Sequence, residues 1–211
     1  MKVIIITGRI ATGKSIILRQ FKSLGAKTFS SDKMVDDIYI NDNDFFLKIA
    51  KLFPQVIDKE KINKFKLSNL AFKNNEVLNM LEKIIYPKLK KKIETIMRNC
   101  YLKSFDRVVF EVPLLFEKKV NIDFDIVIST TCNKLLQKQR YLKRNNTDLV
   151  KLSLINNRFV EDNIRFKKSS YVINTGNGMH HSLSILKRIL RKYERNNFRY
   201  RNNGLKHREW P

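Results

Sequence analysis

The sequence predicts an α/β protein built on a doubly wound, five-stranded parallel sheet, and three observations carry that expectation. Five short apolar runs, rich in β-branched residues, stand at residues 3–7, 26–30, 107–113, 125–130 and 171–174. The stretches between them carry apolar residues at helical spacing, and strands that alternate with helices build a sheet covered on both faces. Between the first strand and the first helix lies a glycine loop, on the sheet edge where ligands of open α/β folds bind.

In chain order, Val3-Ile4-Ile5-Ile6-Thr7 reads as a fully buried strand. It feeds Gly8-Arg9-Ile10-Ala11-Thr12-Gly13-Lys14-Ser15, which matches the G-x-x-x-x-G-K-[ST] phosphate-binding pattern at every fixed position. Ile17, Phe21 and Leu24 then recur at helical spacing, and Gly25 supplies a stop. Two glycines let the backbone curl until consecutive N–H groups point inward, and the helix opening at Lys14 adds its positive dipole end. A polyphosphate fits that cradle. Lys14 would reach the β and γ phosphates as a point charge, and the Ser15 hydroxyl would coordinate a magnesium ion that also holds phosphate oxygens.

The second strand, Ala26 to Ser30, ends in Ser30-Ser31-Asp32 before a helix through Met34, Val35 and Ile38. Asp32 therefore shares a rim with the phosphate loop. Two roles stay open for it: a carboxylate that acts on a ligand, or an N-cap, a task that Ser30 or Ser31 could also perform. Residues 36–104 read as helices at Phe45–Phe53, Phe65–Phe72, Val77–Ile85 and Leu89–Met97, punctuated by Pro54 and Pro87. Lys88, Lys90, Lys91 and Lys92 read as a solvated helix face.

The run Arg107 to Pro113 is apolar enough to be central, and Glu111 interrupts it. A buried carboxylate needs a partner, either a basic side chain or a magnesium-bound water. Asp125 to Thr130 and Tyr171 to Asn174 complete the sheet. Between them, Leu135 to Arg144 reads as a helix carrying Gln137, Arg140 and Arg144, with Arg158 and Arg165 further on. Arg140 and Arg144 lie four apart, on one face. Such a segment either closes as a lid, bringing guanidinium groups onto a phosphoryl group, or is the solvated surface of a basic protein. Asn174-Thr175-Gly176-Asn177-Gly178 makes a turn, Ser182 could cap the helix through Leu186, Ile189 and Leu190, and the polar, Asn-rich residues 197–211 read as a disordered basic tail.

At 211 residues the chain suits one α/β domain, placed at 1–200. Its 43 Lys and Arg against 20 Asp and Glu give +23, a charge that attracts polyanions. The excess is spread along the chain with many Asn and Ile, as a coding bias would spread it, so nucleic acid is not the expected partner. Cys100 and Cys132 show neither disulfide nor zinc spacing. The N-terminus enters the first strand directly, and no apolar run approaches the ~18 to 20 residues that span a membrane. A cytoplasmic protein, monomeric or a small homo-oligomer, is expected.

With the loop, Asp32, the Val112-Pro113-Leu114-Leu115-Phe116-Glu117 segment, the arginine helix and the Val172-Ile173-Asn174-Thr175-Gly176 turn in place, the chain resembles the dephospho-CoA kinase family. The likeness runs in register from about residue 1 to residue 195, and the Pro-Leu-Leu-Phe-Glu segment is its most specific part. The resemblance implies a fold of the P-loop nucleoside triphosphate hydrolase type, with its core at 1–35, 105–133 and 166–196. Residues 36–104 would form a helical acceptor-binding insertion and 134–165 a lid. It further implies phosphorylation of the ribose 3′-hydroxyl of dephospho-CoA by ATP with Mg2+, giving coenzyme A and ADP. Gly8, Ala11, Thr12, Gly13, Lys14, Ser15, Ile16, Arg140, Asn174, Thr175 and Gly176 match ATP-binding positions. Asp32, Tyr86, Pro113, Leu114 and Leu115 match the acceptor side, with Asp32, Lys14 and Arg140 catalytic and Ser15 on the metal.

Four positions depart from the family pattern. Ser30 replaces an aspartate, Ile16 a threonine, Tyr86 a histidine and Phe159 a glutamine. Two other functions compete: another P-loop nucleoside or nucleotide kinase, and a nucleic-acid-binding ATPase. A GTP switch is disfavoured, because Asn133-Lys134 continues into Leu135-Leu136 and not into the guanine-reading N-K-x-D.

Overall fold

A computed structural model describes residues 1–117, 123–145 and 149–202. The first unit runs β1 (Lys2–Thr7), α1 (Lys14–Ser23), β2 (Lys27–Ser30). A helical region follows: α2 (Ser31–Asn41), α3 (Asn43–Leu52), a small hairpin of β3 (Ile57–Asp58) and β4 (Lys61–Ile62), then α4 (Lys64–Lys73) and α5 (Asn75–Leu102). The chain returns through β5 (Arg107–Glu111), β6 (Ile126–Thr131), α6 (Lys134–Asn145), α7 (Leu149–Asn156), α8 (Asp162–Lys167), β7 (Tyr171–Asn174) and α9 (Met179–Asn202).

The five long strands form one parallel sheet in the order β2-β5-β1-β6-β7. The chain leaves β1 toward β2 on one side and later crosses from β5 to β6 on the other, so the loop after β1 opens into the crevice where the winding reverses. Alternation along the strands divides the core in two. Val3, Ile5, Val108, Phe110 and Val127 face α2 to α5, whereas Ile4, Ile6, Val109, Ile128 and Ile173 face Ile17 and Phe21 of α1 and Leu186, Ile189 and Leu190 of α9. Both faces are covered, and β-branched runs with no polar alternation are what such burial selects. Register then aligns the strand ends: Ile6 stands beside Glu111, and Glu111 beside Ser30. The phosphate loop, Glu111 and the start of α2 therefore share one rim.

The helical region differs from the sequence expectation at two places. Pro87 lies inside α5, a single 28-residue helix, where two helices were expected. Proline forfeits one backbone hydrogen bond there, and the buried stripe of Leu81, Leu89, Ile93 and Met97 on either side of it holds the helix together. The β3–β4 hairpin replaces a stretch expected to contain only helices; its turn residues Lys59 and Glu60 take φ of 46° and 59°. Two-residue turns with positive φ usually announce themselves through Asn or Gly, and here they do not. At the other end, α9 continues to Asn202, so residues 197–202 of the expected tail are helical. The rest of that tail, 203–211, is outside the described residues.

Candidate active site

Gly8 and Gly13 take φ of 145° and 91°, and close packing excludes side chains from both. A Cβ on Gly8 would stand 2.5 Å from Thr130 Oγ1, and one on Gly13 would stand 2.7 Å from Thr175 Oγ1. Ala11 also enters the left-handed region, at φ 59°. Hydroxyls fasten the loop from behind. Thr12 Oγ1 donates to the Arg9 carbonyl at 2.8 Å and pairs with Thr130 Oγ1 at 2.8 Å, while Thr175 Oγ1 donates to the Thr12 carbonyl at 2.8 Å. Among the described residues no side chain caps α1 at Gly13, which leaves its first N–H groups facing the loop's concave side, the usual seat of an anion.

Four groups chosen from sequence meet on this rim. Lys14 Nζ is buried and donates to the carbonyls of Gly8 at 3.0 Å and Arg9 at 2.9 Å. Burial pulls its pKa down to about 8, against the opposing pull of the Glu111 and Asp32 carboxylates. Glu111 is buried as well; desolvation raises its pKa, and the Lys14 charge and a hydrogen bond from Ser15 oppose the rise. Asp32 is open to solvent at the rim. Even so, the surrounding protein raises its carboxyl above the usual range, with Lys14 opposing and Asp36 reinforcing the shift. Asp32 is the second residue of α2, and Ser30 holds the N-cap position without a side-chain bond. The carboxylate of Asp32 is therefore not the helix cap.

The remaining sequence candidates divide. Arg140 Nη1 and Nη2 donate to Thr175 Oγ1 at 2.8 Å and the Thr175 carbonyl at 3.0 Å, so the arginine helix is docked on the turn after β7. Thr175 is buried and ties that turn to the phosphate loop. Asn174 Oδ1 accepts from Gly176 N at 2.8 Å, which shapes the same turn. Arg144 is exposed, yet its charge is felt at Lys14 and Glu111. Ile16 extends α1 behind the cradle, its N–H donating to the Gly13 carbonyl at 3.0 Å.

Beside Asp32 opens a hollow of about 210 Å³ whose walls include Val35, Tyr86, Leu89, Pro113 and Leu114. Burial drives the Tyr86 phenol far above its ordinary pKa, with Glu82 adding to the shift, so it lines the hollow uncharged. Leu115 departs from expectation: it turns into the core with Val112 and Phe110 and does not line the hollow.

Arg9 holds a variable position of the loop motif, where no residue type is required. Its Nε meets Asp162 Oδ1 at 2.7 Å, Nη1 the Asn156 carbonyl at 3.2 Å and Nη2 the Val160 carbonyl at 3.3 Å. Asp162 Oδ1 also accepts from Arg165 Nη2 at 2.7 Å, and Arg165 is 1% exposed. Glu117 Oε1 accepts from Val160 N at 2.9 Å, and Arg158 Nη2 reaches Glu82 on α5 at 2.9 Å. Segment 156–162 is thus pinned both to the phosphate loop and to the helical region. For a metal, the hard oxygens of Ser15 and Glu111, already hydrogen-bonded to each other at the cradle, fit a magnesium ion that takes one or two protein ligands and completes its shell with phosphate and water.

A family model for dephospho-CoA kinase matches residues 2–181. The chain belongs to the dephospho-CoA kinase family. It is 32% identical over 195 residues to the dephospho-CoA kinase of Bartonella quintana, covering 90% of this chain and 100% of that one. A solved dephospho-CoA kinase from Campylobacter jejuni superposes with a TM-score of 0.69 at 25% identity, covering 93% of this chain and 100% of the other. A Thermus thermophilus crystal structure shares the fold with a TM-score of 0.78 at 21% identity, over 90% and 97% of the two chains. The family assignment thus spans the phosphate loop, the helical region and the turn after β7 alike.

Proposed function

We propose that this member of the dephospho-CoA kinase family transfers the γ-phosphoryl group of ATP to the ribose 3′-hydroxyl of dephospho-CoA, giving coenzyme A and ADP. The observation that carries the reading is that the phosphate loop and Asp32 lie on one rim of the sheet, beside a hollow of about 210 Å³, in a chain whose family match spans residues 2–181.

ATP lies with its phosphates in the cradle of Gly8 to Ser15, and its adenine near Asn174 to Gly176. Asp32 orients the 3′-hydroxyl and receives its proton as the new bond to phosphorus forms; the bond from the γ-phosphorus to the bridging oxygen breaks, and that oxygen leaves with ADP. A carboxylate whose pKa is raised above its usual range is a better base for this step than an unperturbed one. Lys14 and the arginine helix neutralise charge as it moves to the leaving oxygen. Magnesium, held at Ser15 with Glu111 behind it, would supply further charge neutralisation on the phosphates. Tyr86, Pro113 and Leu114 wall the acceptor site, residues 36–104 serve as the acceptor-binding insertion, and 134–165 close as a lid. Ile16 lacks the hydroxyl common at its position, which weakens ATP binding by about 0.5–3 kcal/mol.

Among the described residues no helix is long and apolar enough to cross a membrane; the proposal places the enzyme in the cytoplasm, as a monomer or small homo-oligomer. Coupled ADP release tests substrate and reaction together: dephospho-CoA should stimulate it, and Lys14→Ala should abolish it. Turnover with nucleoside monophosphates but not with dephospho-CoA would overturn the assignment.

A further inference from the structure

Two charged side chains near the phosphate loop are neighbours that do not join. Arg165 of α8 is 1% exposed. Its Nη2 donates to Asp162 Oδ1 at 2.7 Å, while Nε and Nη1 are buried with no hydrogen-bond partner among the described residues. Glu117 ends the segment whose Pro113 and Leu114 wall the hollow beside Asp32. Its Oε1 accepts from Val160 N at 2.9 Å, and its Oε2 is likewise buried and unpartnered. The charges of Glu117 and Arg9 are both felt at Arg165, and the charge of Arg165 reaches Lys14 in the cradle.

Buried polar atoms are nearly always paired, and a buried guanidinium with two unused nitrogens is costly. The unmet groups here are complementary, two donors on one side chain and an acceptor on the other, and each side chain is already anchored. Asp162 Oδ1 also accepts from Arg9 Nε at 2.7 Å, so Arg165 is tied to the phosphate loop while Glu117 belongs to the acceptor wall. Resting on the function proposed above, we infer that Arg165 and Glu117 are positioning residues for the transfer, a buried latch whose closure joins the phosphate loop to the acceptor wall. As phosphates fill the cradle, Arg9 and Asp162 carry Arg165 toward Glu117, and Nε and Nη1 donate to Oε2. The pair then fixes Pro113 and Leu114 relative to Lys14, and with them the approach of the acceptor hydroxyl to the γ-phosphorus.

Glu117→Gln tests the latch, because it keeps an oxygen for Val160 N and withdraws the charge that Arg165 would meet. A buried pair already made without ligand would lower the melting of the free variant, whereas a pair made only on closure reduces what the ligand adds. The Tm of the free variant should therefore not fall below that of the wild type. Most of the gain in Tm on saturation with a non-hydrolysable ATP analogue and magnesium should be lost, and kcat should fall on the order of 10²-fold, as for a small misplacement of reacting atoms. Adding Arg165→Lys to Glu117→Gln should lower kcat no further, since both act on one contact. Should Glu117→Gln not fold, Arg165→Lys alone, which keeps a charge for Asp162 and gives up the free donors, should show the same losses of gain and of kcat. A lower Tm of the free, folded Glu117→Gln, an undiminished gain with the analogue, or an unchanged kcat would overturn the latch. A wild type that turns over no dephospho-CoA would instead remove the function itself, while the gain with the ATP analogue still reports on the latch.

Discussion

Lys14 sits where two demands conflict: it must be charged to hold phosphate, and it is buried where charge is disfavoured. Its amine loses its proton near pH 8, while solution lysines hold theirs some units longer. Phosphate binds the ammonium form, so ATP affinity should be constant below that pH and should weaken as pH rises through it. Titration of Kd for ATP from pH 6 to 9.5 checks this; Lys14→Arg, whose guanidinium stays charged, should lose the alkaline limb. A flat profile in the wild type would mean that Lys14 does not carry the binding charge. Asp32 makes the complementary case. Asp32→Asn keeps the shape of the rim and removes the proposed base, so kcat should fall ~10²- to 10⁴-fold with Kd for ATP nearly kept. Near-normal turnover would take Asp32 out of the mechanism. Both residues stand out in the sequence, Lys14 by the fixed spacing of a motif and Asp32 by its place at a strand end, where an N-cap was the competing reading. Arg9 does not, because its partner Asp162 is 153 positions away and no local pattern connects the two; Arg165, in view on the arginine-bearing segment, meets the same carboxylate at the local i,i+3 spacing.

Between residues and fold stand the elements, and the segment joining α7 to α8 shows how they are coupled. Arg9 alone gives it three hydrogen bonds, one of them to a carboxylate. Arg9→Ala should cost roughly 2 kcal/mol, after discounting for the partial exposure of Asp162. That corresponds to a fall of roughly 5 °C in Tm for a chain of this size, and proteolysis should begin earlier within residues 149–162. Unchanged melting and unchanged cleavage would show that the phosphate loop and this segment are independent. Legibility followed element type. The strands were readable because burial on both faces demands continuous β-branched runs, as at Val3 to Ile6. In the helical region Pro87 reads as a stop, since a sequence does not display the buried stripe that carries α5 across it. The hairpin at Lys59-Glu60 is not legible because neither residue advertises positive φ.

At the scale of the molecule the dominant quantity is the charge of +23. It does not determine the fold, and the partners it favours are anions in general. Exposed ion pairs such as Lys48–Asp44 and Lys64–Asp36 neutralise little of it and add little stability. At the rim that excess is represented by the buried Lys14, with Arg144 and Arg165 acting on it from further off than the carboxylates of Glu111 and Asp32. ATP and dephospho-CoA are each polyanions, so the field should draw both toward the crevice, whereas the chemical step takes place among desolvated groups that salt screens poorly. Raising ionic strength from 0.1 M to 1 M shortens the screening length from about 10 Å to about 3 Å. Across that range the KM for ATP and the KM for dephospho-CoA should both climb several-fold while kcat holds. Matched measurements in two salts of different anions separate screening from a specific ion at the cradle. If KM stays level and kcat falls instead, the charge acts on the chemistry or on the fold, and steering plays no part.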